Sequence, residues 1–143
     1  MIRTLVPGLL SLVVVAIGLL HFVWAFSPWP WKDPATFTRT IGGTHDGRMP
    51  GVLECMAVGT ALIGAGALTL MVNGTVPGVG PEWLRLTGMF GFALVMFVRG
   101  TAGYLMNSGA PPEFRRWNAL LYSPLCLVLC LLSLLVAVAA VRR

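Results

Sequence analysis

Long apolar stretches separated by short polar ones run through the whole chain. Four of them are long enough to cross a bilayer, which takes about 20 apolar residues. They are Leu5–Phe26, Gly51–Val72, Trp83–Met106 and Trp117–Val141. The pattern predicts an all-α integral membrane four-helix bundle formed by a single domain, residues 1–143. An even number of crossings puts the N and C termini on the same face, together with the short Gly- and Pro-rich turn Asn73–Glu82. The two richer connections, Ser27–Pro50 and Asn107–Arg116, fall on the other, loop-rich face. The Pro28-Trp29-Pro30-Trp31 run restricts the backbone, so Ser27–Pro50 is expected to be ordered over the bundle end.

Composition agrees. The chain is 57% hydrophobic and 10% charged, with a mean hydropathy of +0.83, whereas soluble domains carry about a quarter charged residues. The first apolar run is longer than a signal-peptide core and no A-x-A site follows it, so it reads as a retained helix. Met1-Ile2 and Arg142-Arg143 carry no lipidation signal. The three cysteines, Cys55, Cys126 and Cys130, all lie within predicted helices. Cys126-x-x-x-Cys130 is not the C-x-x-C of a disulfide-exchange enzyme, and they read as packing residues.

Charge adds less. Arg3, Arg85, Arg142 and Arg143 sit on the terminal face, and Lys32, Arg39, Arg48, Arg115 and Arg116 on the loop-rich face. Four against five does not orient the protein. A pI of about 9.9 predicts contact with anionic membrane lipids. The basic residues are scattered between two faces, which gives nucleic-acid binding no support.

Polar residues within the spans carry the chemistry. Counting at about 1.5 Å per residue, His21, Glu54, Arg99 and Tyr122 all fall roughly 5–10 Å below the loop-rich boundary, one per helix. Intramembrane charges usually face protein and pair, so Arg99 and Glu54 are expected to form an ion pair, in the simplest case a structural clasp. An imidazole can give or take a proton in acid–base chemistry, so beside Glu54 His21 becomes a candidate acid or base. Asn118, Tyr122, Cys126 and Cys130 recur at four-residue spacing and predict an inward seam on the last helix. Ala57, Ala61 and Ala65, with Gly59, Gly64 and Gly66, predict close packing on the second. Trp24, Trp29, Trp31, Tyr104, Trp117 and Tyr122 crowd the loop-rich boundary, whereas Trp83 alone marks the other. An interfacial belt does not explain that asymmetry, and the mouth of a lipophilic site does. Haem or metal would need more ligands than His21 and the loop residue His45 supply, and no cofactor is expected.

The motifs "LHFVWAFSPWPWKDPATFTRTIGG", "RMPG", "FVRGTAGYL" and "YSPLC" resemble a bacterial four-helix membrane family known as domain of unknown function 3995. The matching positions are His21, Trp24, Ala25, Trp29, Pro30, Arg39, Thr40, Arg99, Gly100 and Tyr122 to Cys126. Members often carry a second Pro after the Met-Pro of the first loop, where Gly51 stands here. They also often carry an acid where Ala102-Gly103 stands. The resemblance implies the fold and a bacterial cytoplasmic membrane, and no activity.

Two functions follow. One is a membrane-embedded pocket for an isoprenoid, sterol-like or quinone-type molecule, with possible isomerase or hydratase chemistry. His21, Glu54 and Arg99 would be its catalytic groups, and Trp24, Trp29, Trp31, Tyr104, Asn118 and Tyr122 would line it. The other is a non-enzymatic subunit or assembly factor, docking a membrane-protein partner or a second copy of itself.

Overall fold

The computed structural model describes residues 2–105 and 107–143, with the backbone alone for residues 2 and 3. Among these residues the fold is all-helical. The spans are α1 (Ile2–Trp24), α3 (Val52–Asn73), α4 (Glu82–Leu105) and α6 (Ser123–Val141). A short α2 (Pro34–Phe37) runs into a π-helical turn, Thr38–Gly42. α5 (Pro112–Trp117) continues through a second π turn, Asn118–Tyr122, into α6. Membrane-length apolar helices therefore cover Thr4–Trp24, Val52–Asn73, Glu82–Leu105 and Pro112–Val141.

The last helix starts five residues before the expected Trp117. Pro111-Pro112 reads as a breaker, but proline at the first helical position is preorganised for helix and has no N–H to waste. α1 stops at Trp24, two residues short of Phe26. The expected third span ended at Met106, which lies outside the described residues.

α1 packs along α3, and α4 along α6, while the two pairs touch each other more lightly. Glycines set the closeness. A Cβ on Gly18 would lie 2.9 Å from the Gly59 carbonyl oxygen, and one on Gly59 would lie 2.9 Å from that of Gly18. Because the obstacle is backbone, Gly59→Ala must force α1 and α3 apart. The expected loss is about 1–3 kcal/mol, read as a lower midpoint in detergent unfolding. Gly64→Ala, which faces open space, is the neutral control.

The shared four-helix core occupies the terminal half. It contains Leu10 and Val14 of α1, Leu62, Ala65 and Val72 of α3, Met89, Ala93 and Met96 of α4, and Leu129, Cys130, Val136, Ala137 and Ala140 of α6. Its buried hydroxyls are satisfied within their own helices, Thr69 on the Ala65 carbonyl at 2.8 Å and Ser133 on that of Leu129 at 2.7 Å, a bond available to Ser and Thr in any helix. Towards the loop-rich face the buried positions lie within each pair instead: Gly18 against Gly59, and Gly100 against Leu127 and Ser123. Leu12, Leu53, Phe97 and Leu131 are among the large apolar side chains turned outward, as a lipid-facing surface requires. α3 ends on Gly74, whose φ of 79° suits glycine. Arg143 donates to the carbonyls of Val72 at 3.0 Å and Asn73 at 2.7 Å, which joins the end of the chain to the end of α3.

Candidate functional site

Ser27–Pro50 is folded into an aromatic cap. Asp33 opens α2 as its N-cap: its carboxylate accepts from the Thr36 amide and the Thr36 hydroxyl, each at 2.8 Å. Phe37, four residues on, is fully buried. Its ring meets Trp24 at 5.5 Å and Trp31 at 5.9 Å. Trp24 in turn donates its indole N–H to the Trp29 carbonyl at 2.8 Å and lies 5.0 Å from the His21 ring. Trp29 itself is 57% exposed, so it contributes backbone to the cap and its ring to the interface.

The cap docks on the last helix. Tyr122 donates to the Thr40 carbonyl at 3.1 Å. Arg39 pairs with Glu113 at 2.6 Å, a half-exposed ion pair worth about 0–1 kcal/mol. Gly43, with φ 73°, lies beneath Phe114, where a Cβ would come within 3.2 Å of the ring. The hydrogen bonds that Asp33 accepts from Thr36 hold its carboxyl below the usual range, and bonds from Arg48 and Thr44 do the same for Asp46. A depressed carboxylate pKa contributes stability above its unfolded value and loses it as pH falls through the folded one. Cap packing, followed by tryptophan fluorescence, should therefore be constant from neutral to mildly acid pH and loosen only below about pH 4.

The second π turn explains the position of Tyr104. Within Asn118–Tyr122 the Ser123 amide bonds the Asn118 carbonyl, five residues back. In that register Pro124 would bond Ala119, but proline has no N–H. The Tyr104 hydroxyl fills the gap, donating to the Ala119 carbonyl at 3.0 Å. Asn118 is fully buried. Its amide donates to the Gly103 carbonyl at 2.6 Å, and its Oδ1 accepts from Arg99 at 3.3 Å. Ser123 is equally buried and its hydroxyl has no partner, since the carbonyl four residues back is the one Tyr104 occupies.

The predicted layer is found in pieces. His21 is half-buried and its Nδ1 donates to the Ile17 carbonyl at 2.8 Å. Glu54 is exposed and turns back to accept from the Gly51 amide at 3.3 Å, where its charge also favours the start of α3. Arg99 is exposed and reaches Asn118, and Tyr122 reaches Thr40. Among the described residues no hydrogen bond or ion pair joins any two of the four. The Arg99–Glu54 ion pair is therefore corrected: each charge is satisfied locally. The expected seam also divides, because the extra residue of the π turn leaves Asn118 facing α4 while Tyr122 faces the cap. On α3, Gly59 and Gly66 meet α1, whereas Ala57, Ala61 and Gly64 are exposed. Phe37, Phe114 and the Arg39–Glu113 pair are new to the site. Asp33-Pro34 is a helix-start pair that would have placed a short helix ahead of Phe37.

This architecture is that of a multi-pass helical membrane protein whose loops on one face are folded into an aromatic cap. The chain belongs to the family described as protein of unknown function (DUF3995), whose model matches residues 14–133. That match runs from the middle of α1 into α6 and includes the whole cap. Neither the curated proteins nor the solved structures provide a match to it.

Proposed function

We propose that this protein, in a bacterial cytoplasmic membrane, holds a lipophilic small molecule with a polar head in the loop-rich half of the bundle. The molecule enters sideways from the bilayer, beneath the aromatic cap. One observation carries the reading: the four-helix core stops at about the level of Leu62 and Met96. Beyond it the helix pairs bury residues within themselves, and polar groups remain with unused capacity. Arg99 spends one of its five donors, on Asn118. His21 donates its Nδ1–H to the Ile17 carbonyl, and in the neutral ring Nε2 is then an acceptor. A head group offering a carbonyl to Arg99 and a hydroxyl to His21 suits this pair, which is the chemistry of isoprenoid, sterol-like and quinone-type compounds. The arrangement favours binding over acid–base catalysis, since the Glu54 carboxylate accepts from the Gly51 amide and makes no hydrogen bond to His21.

The test is gentle purification followed by mass spectrometry of what travels with the protein. A single stoichiometric lipophile is expected. A mixture matching the bulk membrane would refute the reading. A subunit role is the second reading, favoured by the exposed small residues Ala57, Thr60, Ala61 and Gly64 on α3, which would admit a partner helix. A reproducible protein partner with no lipophile would select it.

A further inference from the structure

A separate site lies at the opposite end of the bundle. α1 and α6 touch only lightly, and their seam opens near the terminal face into a groove of about 350 Å³. Its walls are apolar: Val6 and Pro7 from α1, Leu135 and Ala139 from α6. Its polar rim is formed by Asn73 and Arg143. Ala139 is two residues from the end of α6 and Leu135 six, so the groove spans roughly 3–9 Å below that boundary. This is the depth where a phospholipid passes from head group to acyl chain.

We propose that this groove binds one anionic phospholipid, with an acyl chain along the α1–α6 seam and its phosphate on Arg143. Wall atoms facing a gap lose their dispersion contacts, and in a bilayer a hydrocarbon chain restores them. The head-group preference follows from Arg143. Two of its five donors are held by the Val72 and Asn73 carbonyls, which fixes the guanidinium at the rim and leaves three for a phosphate. The surroundings suit an anion. Four of the five carboxylates in the chain, Asp33, Asp46, Glu54 and Glu113, stand at the loop-rich end. The terminal end carries Arg3, Arg85, Arg142 and Arg143 and one acidic side chain, Glu82. Glu82 lines a smaller, separate pocket with Val72, Arg85, Leu86 and Ala140, and is not among the residues of the groove.

The experiment reconstitutes the full chain in vesicles of phosphatidylcholine and phosphatidylglycerol in equal parts, extracts it gently and weighs the retained lipid by native mass spectrometry. One retained phosphatidylglycerol is expected. Near a membrane surface each arginine is worth about 1 kcal/mol to an anionic lipid, so Arg143→Gln should cut the preference about fivefold. Since Arg143 also caps α3, a second variant is needed. Ala139→Trp fills the groove and leaves the arginine in place, and it should abolish retention of either lipid. Excess inorganic phosphate should not displace the lipid, because the chain contact holds it. Equal retention of the two lipids, an unchanged preference in Arg143→Gln, or an intact preference in Ala139→Trp would each overturn the site.

Discussion

Replacing Phe37 with alanine should release the cap while leaving the spans folded. Phe37 is fully buried between Trp24 and Trp31, and truncating a buried phenylalanine costs about 3–5 kcal/mol. Nothing nearby can collapse into the void, since α2 is a four-residue helix pinned by Asp33. The loss should be local. The four-helix core lies at the far end and shares no residue with the cap, so helical circular dichroism should be unchanged. Tryptophan emission should shift to the red, and amide protons of residues 31–44 should exchange faster. The variant should also lose any molecule held beneath the cap. Unchanged exchange in that segment would mean that the cap rests on other contacts.

Two neighbouring buried polar residues should respond in opposite directions. Asn118→Leu keeps the branching of the side chain but strands the Gly103 carbonyl and removes the Arg99 acceptor. A buried group left unpaired costs about 1–3 kcal/mol, and the Gly103 carbonyl carries that cost, since Arg99 is exposed. Ser123→Ala removes a buried hydroxyl that has no partner. Deleting an unsatisfied polar group is neutral or stabilising. Detergent unfolding of the two variants should therefore show a large drop for Asn118→Leu and none for Ser123→Ala. Equal losses would contradict the assigned hydrogen bonds.

These positions also mark how far the residues alone could be read. The spans were legible because a bilayer leaves few alternatives to long apolar helices. A depth for His21, Glu54, Arg99 and Tyr122 could be counted because helical rise is constant, but the count for Tyr122 took the last helix to start at Trp117 rather than Pro112. Direction around each helix was not legible. Angular position depends on a 3.6-residue period, and the Asn118–Tyr122 π turn breaks that period where the seam was drawn. Depth alone could not show that Glu54, in the first turn of α3, has its own helix start to cap. The extended last helix was hidden by Pro111-Pro112, which suits a loop and a helix start equally well. Phe37 was overlooked because it stands in a polar stretch, and its burial depends on Trp24 and Trp31, which only the folded loop brings to it. Among seventeen glycines, no pattern singled out Gly18 and Gly59 as the facing pair.

The most direct measurement of the central claim compares retained lipophile in His21→Ala and Arg99→Gln with that in the parent protein. Arg85→Gln at the terminal end serves as the control. Neither His21 nor Arg99 belongs to the four-helix core, so the spans should stay folded in both variants, and the loss in Arg99→Gln should be no more than the one bond that Arg99 gives Asn118. The account predicts that the stoichiometric molecule is lost from both and kept in the control. Retention at parental level in His21→Ala and Arg99→Gln would contradict it.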